Sequence, residues 1–180
     1  PTLGTAGVIA GDPDSAVTFF QGSSTKVEVP FSPDLNTESF SVECWAQTTG
    51  GTGHRSPITS RDDGPQEGFI IYAEPDNMWS LWTGPGWHDM NGISATPGEW
   101  THLVGTYDAA TGIKSFYING QLASSAEGIT VNVNDQRPLR IGAGATDSDP
   151  GNFFWEGPVD EAAVYAEALP LDRVRAHYLA

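Results

Sequence analysis

The chain has 180 residues, 38% of them hydrophobic and 11% aromatic, which suffices for one packed core and is too apolar for a disordered segment. Twenty-three acidic residues against eight basic ones leave a formal net charge of −15, so phosphate backbones and anionic membrane surfaces are repelled and nucleic acid is a poor partner. The single cysteine, Cys44, excludes an intrachain disulfide and any paired-cysteine zinc or redox motif, and no apolar run approaches the ~20 residues of a membrane helix.

The chain opens on PTLGTAGVIAGDPDS, which lacks the charged n-region of a secretory leader and reads as the start of a mature or excised domain. Strand-like runs then recur. AVTFF (16–20), KVEVP (26–30) and SFSVECWAQ (39–47) come first, followed by the polar stretch TGGTGHRSPITSRDDGPQEG (49–68), which reads as a loop-rich cluster. GFIIYAE (68–74), MWSLWTG (78–84), WTHLVGTYD (100–108), KSFYING (114–120), PLRIGAG (138–144) and VDEAAVY (159–165) continue the pattern. Between them EPDN, GPG, TPGE and DAATG supply the Gly, Pro, Asn and Asp of tight turns, and Asn119-Gly120 is a strong hairpin signal. At the end, LPLDRVRAHYL places Leu171, Val174 and Tyr178 at helical spacing behind Pro170, which predicts a short C-terminal helix. The expected fold class is therefore all-β, a two-sheet antiparallel jelly-roll sandwich with a short C-terminal helix, in a single domain over residues 1–180.

Three segments, in order, resemble the laminin-G-like group of concanavalin A-like jelly rolls. The first is AVTFFQGSSTKVEVPFSPDLNTESFSVECWAQ, with its Phe-x-Val-Glu-x-Trp close; the second is GEWTHLVGTYDAATGIKSFYINGQL; the third is FFWEGPVDEAAVYAEALPLDRVRAHY. That resemblance implies carbohydrate-binding modules, lectins and adhesion domains of secreted, often bacterial, proteins, with some glycan-cleaving enzymes on the same fold. It also implies that Asp160, in its Val-Asp-x-x-x-Val-Tyr setting, binds a structural calcium together with the N-terminal segment. Asp12 and Asp14 are the N-terminal candidates, because calcium takes six to eight oxygens and mixes carboxylates with carbonyls. The alternative for Asp160 is a solvent-facing or turn-capping side chain. Asp147 and Asp149 begin like a calcium loop but lack the remaining ligand spacing, and an exposed turn explains them as well.

A sugar site needs an aromatic platform beside planar hydrogen-bonding groups. Trp87 and His88 follow a Gly-Pro-Gly turn and are the expected platform, with Trp82 and Trp155 as further candidates. Strand alternation places Trp79 and Trp82 on opposite faces, so one of them packs in the core. His54, Arg55, Arg61, Asp62, Asp63 and Gln66 are the expected polar partners, with Arg55 and Arg61 open to a uronate or sulfate or else Arg61 to an internal pair with Asp62 or Asp63. Trp45, Trp100, Tyr107 and Phe116 are expected in the core, and His102 is expected to be a hydrogen-bonded structural histidine.

A glycan-cleaving enzyme would show two carboxylates flanking the scissile bond, whereas SVECWAQ carries Glu43 alone and the adjacent Asp160 and Glu161 should point to opposite faces. No Gly-x-Ser-x-Gly elbow is present. The expected function is a non-catalytic carbohydrate-binding module with calcium as structural cofactor, a polysaccharide or glycan as partner and an extracellular or cell-surface location. An adhesion or protein-interaction domain is the alternative, and an enzyme comes third.

Overall fold

The computed structural model describes residues 1–86, 89–144 and 152–180. Thirteen strands occur among them: β1 (Thr2–Ala6), β2 (Ser15–Phe19), β3 (Val27–Val29), β4 (Phe40–Gln47), β5 (Arg55–Asp63), β6 (Gln66–Ala73), β7 (Met78–Thr83), β8 (Met90–Ser94), β9 (Trp100–Asp108), β10 (Ile113–Ile118), β11 (Gln121–Ala126), β12 (Leu139–Ile141) and β13 (Gly157–Tyr165). One helix, α1 (Leu171–Tyr178), follows. The strands form two antiparallel sheets, one in the order β1-β2-β13-β4-β9-β10-β11 and the other β3-β12-β5-β6-β7-β8, consistent with a jelly-roll sandwich.

Alternation builds the core from both sheets. Val42, Cys44, Ala46, Leu103 and Phe116 face Ile58, Phe69, Ile71, Trp79 and Leu81 across the sandwich, all almost wholly buried. Burying a large apolar side chain contributes roughly 1.5–3 kcal/mol, so this layer supplies most of the driving force. Asn119 (φ 51°) and Gly120 (φ 71°) close the β10–β11 hairpin with Ile118 opposite Gln121, the left-handed pair that an Asn-Gly turn supplies. The C-terminal helix begins after Pro170 and seals Val174 and Leu169 over Val104 and Tyr117 on the outer face of the seven-stranded sheet.

Three expectations are corrected. The 49–68 stretch is not chiefly loop: Arg55–Asp63 is an interior strand between β12 and β6. It escapes an alternation test because a register shift between Arg55 and Ile58 interrupts the ladder and its buried positions include hydroxyls, with Ser56 Oγ donating to Ile71 O at 2.8 Å and Ser60 Oγ to Asn36 Oδ1 at 2.8 Å. Trp45 and Trp100 are half-buried on the outer face rather than in the core, since their register partners place Cys44 and Leu103 inward instead. Finally, Asp160 and Glu161 do not diverge to opposite faces. A bulge between Asp160 and Ala163, with Glu161 at φ 48°, breaks the alternation and turns both carboxylates into one cavity.

Candidate functional site

Two regions carry polar chemistry. The first lies on the outer face of the six-stranded sheet, where Ile70 of β6 pairs with Trp82 of β7 and Tyr72 with Ser80, and Arg61 of β5, opposite Gly68, reaches over the Trp82 ring. Ile70, Tyr72 and Trp82 form a small apolar cluster against which Phe153 packs. Trp82 is only 1% exposed: Arg61 Cζ sits 4.0 Å above its ring, and its Nε1–H donates to Gly86 O at 2.9 Å. The Gly86 N–H in turn donates to Gln66 Oε1 at 2.7 Å, tying the 84–86 turn to the neighbouring strand.

The rim of this face is wetter. His54 and Phe153, both half-exposed, stack at 4.8 Å with 14° between their planes. His54 Nε2 lies 2.8 Å from Glu74 Oε2, and Tyr72 O–H donates to Asp89 Oδ1 at 2.5 Å. Burial and the Asp89 carboxylate both push the Tyr72 phenol upward, so it stays a donor. Ser80 Oγ donates to Asn91 Oδ1 at 2.8 Å. An aromatic pair edged by Glu74, Asp89 and Asn91 can lie against the apolar face of a ring while accepting bonds from its hydroxyls.

The predicted ligand residues distribute unevenly over this picture. Trp87 and His88 lie outside the described residues, as do Asp147 and Asp149. Trp155 is not on a rim: it is fully buried and stacks on Trp79 at 5.7 Å inside the core, so no ligand can reach it. Trp82 reaches the outer face but is covered by Arg61, which removes it as an open platform. Arg55 is fully buried, donating to Gly53 O and, through Nη2, to Asn77 Oδ1 at 2.6 Å. Arg61 pairs internally with Asp63, Nη2 to Oδ1 at 2.6 Å, and Asp62 is held by Arg137 Nε at 2.7 Å. Burial raises the Asp62 carboxyl, but the bonds from Arg137 and from the Gly64 and Asp63 N–H groups outweigh it and hold it below the usual range. Of the His54–Phe153 pair the sequence pointed to His54 as a polar candidate but not to Phe153, because residues 99 apart meet only through the fold.

The second region is a cavity of about 500 Å3 whose lining includes Asp14, Glu43, Trp45, Asp160, Glu161 and His177. Asp12, Asp14 and Glu161 bring carboxylate oxygens within 4.8 Å of one another. Beside them Asp160 is 6% exposed, its Oδ2 accepting the Val8 N–H at 2.8 Å. Gly7 permits that contact, since a Cβ there would lie 2.8 Å from the same oxygen. Desolvation, then the charges of Asp12 and Asp160, raise Asp14; desolvation, then Asp14 and Asp160, raise Glu161. Such mutual repulsion is what a hard cation relieves, and the donor set of carboxylates fits calcium. Deeper under α1, Glu43 is shared by two imidazoles, with His102 Nε2 at 2.6 Å and His177 Nδ1 at 2.9 Å.

A two-sheet antiparallel sandwich of this strand order defines the class as a jelly-roll domain. Residues 21–175 match the family model of the Concanavalin A-like lectin/glucanases superfamily, in its Laminin_G_3 form, and the chain belongs to that family. Among curated proteins, mouse pappalysin-1 is 29% identical over 134 residues, which are 64% of this chain and 8% of the pappalysin. The chain thus spans less than a tenth of that relative's length. Among solved structures, domain 4 of AbnA, a GH43 extracellular arabinanase from Geobacillus stearothermophilus in complex with arabinotriose, superposes with a TM-score of 0.68 at 22% identity, covering 93% of this chain and 78% of that one. The CBM40 of the Ruminococcus gnavus IT-sialidase, bound to α2,3-sialyllactose, gives 0.67 at 13% identity over 86% and 98%. These likenesses are to the fold.

Proposed function

We propose that the chain is a non-catalytic carbohydrate-binding module that takes a polysaccharide or glycan on the rim of the six-stranded sheet, stabilised by one structural calcium. The observation that carries this reading is the half-exposed His54–Phe153 stack, edged by Glu74, Asp89 and Asn91 on the face where Tyr72 and Trp82 pack. The ring face of the sugar lies on that pair, and its hydroxyls bond to the surrounding oxygens. Family membership and the glycan ligands of the arabinanase domain and the sialidase CBM40 support the partner class.

Calcium is held by Asp12, Asp14 and Glu161, with Asp160 beside them tying residue 8 to β13. Its role is to join the N-terminal segment to the last long strand and to neutralise repelling carboxylates. The non-catalytic reading is supported by Glu43, one of the two buried carboxylates lining the cavity, both of whose oxygens are engaged by imidazoles. As a module of a longer, extracellular or surface protein, the domain would keep that protein close to its glycan; the small share of pappalysin-1 that it matches suits this arrangement.

A glycan-array screen of the domain, run with calcium and with chelator, tests the proposal. Binding to a defined glycan that needs the folded rim, with melting lowered by chelator, is the expected result. Absence of glycan binding in both conditions would remove the carbohydrate reading and leave a protein-adhesion role.

A further inference from the structure

The half-exposed His54–Phe153 stack and its Glu74 edge are assembled from three separate stretches: the 48–54 connection before β5, the 74–77 turn between β6 and β7, and the 152–156 stretch ahead of β13. The first is rich in glycine, with Gly50 at φ 89° and Gly51 at φ 139°, so its own sequence does little to order it. The half-exposed His54–Glu74 pair, 2.8 Å apart, is too weak to fix it alone.

Arg55 sits where the three stretches meet. It opens β5 opposite Ala73 of β6 and is fully buried. Its Nη1 donates to the carbonyl of Gly53, the residue before His54, and its Nη2 donates to Asn77 Oδ1 at 2.6 Å. The Asn77 N–H donates to Glu74 O at 2.9 Å, closing the turn that carries the Glu74 carboxylate. Ser56, next along β5, donates its N–H to Phe153 O at 2.8 Å. The 48–54 backbone lies directly on the guanidinium, since a Cβ on Gly51 would stand 3.2 Å from Arg55 Nη1.

The chemistry of this contact favours placement over stability. A guanidinium buried without a carboxylate is costly. Burial lowers the Arg55 pKa with no neighbouring charge opposing it, and the Nε–H has no acceptor among the described residues. What arginine supplies is a rigid planar fork whose two Nη groups hold two acceptors at a fixed separation. Asn77 stands at φ 65°, a conformation that glycine adopts more easily, so its side-chain oxygen is what the position uses.

We infer that Arg55 is the positioning residue of the rim: bonded to Gly53 O and Asn77 Oδ1, it holds the 48–54 connection against the 74–77 turn so that His54 stands on Phe153 and reaches Glu74. This rests on the rim being the glycan site, and Arg55 itself touches no ligand.

Three variants test it. Asn77→Gly keeps the backbone conformation of the turn and removes the acceptor, Arg55→Lys keeps the charge and removes the fork, and Asn77→Asp keeps the acceptor and adds a counter-charge. Nuclear Overhauser contacts between the His54 and Phe153 ring protons, measured in the ligand-free domain, report the stack itself. Affinity for the glycan that the wild type binds most tightly on an array reports its use. Asn77→Gly and Arg55→Lys should lose the ring contacts and about tenfold or more in affinity while circular dichroism shows the sandwich intact. Asn77→Asp should keep both and melt above the wild type. Should Arg55→Lys not fold, the two Asn77 variants carry the comparison. Ring contacts of wild-type strength in Asn77→Gly, or their loss in Asn77→Asp, overturn the inference. If the wild type binds no array glycan, the glycan reading falls, and the ring contacts still decide whether Arg55 places His54 on Phe153.

Discussion

Glu43 Oε1 lies 2.6 Å from His102 Nε2 in neighbouring strands, and the other oxygen of the same carboxylate receives His177 Nδ1 at 2.9 Å from the helix above. Glu43 and His177 thus pin α1 to the seven-stranded sheet beside a mostly apolar contact made by Val174 and Leu169. Burial raises the Glu43 carboxyl, but the bonds from His102 and His177 outweigh it, so its value falls below the ordinary 4.5. A depressed carboxyl contributes stability that is complete above the ordinary value and is lost as pH falls through the folded one. Glu43→Gln should therefore cost about 3 kcal/mol at neutral pH, or roughly 10 °C of melting temperature, and the gap to wild type should shrink below about pH 4.5. Melting curves from pH 7 to pH 3 check this.

The carboxylate cluster makes a prediction of opposite sign with and without metal. Asp14→Asn relieves repulsion with Asp12 and Glu161, so in chelator the variant should melt at or above the wild-type temperature. In calcium it should lose most of the metal-dependent stabilisation, since a ligand is gone. Calorimetric titration with calcium, paired with melting in chelator, reads both halves.

Trp155 and His54 should separate stability from binding. Trp155→Ala empties a fully buried site against Trp79 and should cost about 3–5 kcal/mol while leaving any glycan affinity of the folded fraction unchanged. His54→Ala removes one half of the rim stack and should change stability by less than about 1 kcal/mol, the usual range for an exposed position, while weakening binding. Chemical denaturation and glycan titration of both variants provide the comparison.

Much of the sandwich was legible because its strands follow simple chemistry. SFSVECWAQ was legible as a strand, though not in the facing of Trp45, and Asn119-Gly120 announced its hairpin. Pro170 ahead of Leu171 and Val174 marked α1. The strand Arg55–Asp63 was hidden by Ser56, Ser60 and buried Arg55, polar residues whose partners Asn36 and Asn77 come from elsewhere in the chain. Glu161 was misplaced because a bulge leaves no reliable mark on hydrophobic period. Trp155, next to Glu156, looked like a rim residue; only the three-dimensional packing on Trp79 reveals that it is core. His54 and Phe153 could not be paired in advance, since nothing local in either segment points to the other.

The most direct measurement is the affinity of the tightest array glycan for wild type and for His54→Ala, with folding of both verified by circular dichroism. The account predicts a loss of about tenfold or more in the variant with its fold intact, in keeping with removal of a stacking platform. Equal affinity of the two proteins for that glycan would contradict the assignment of the rim as the binding site.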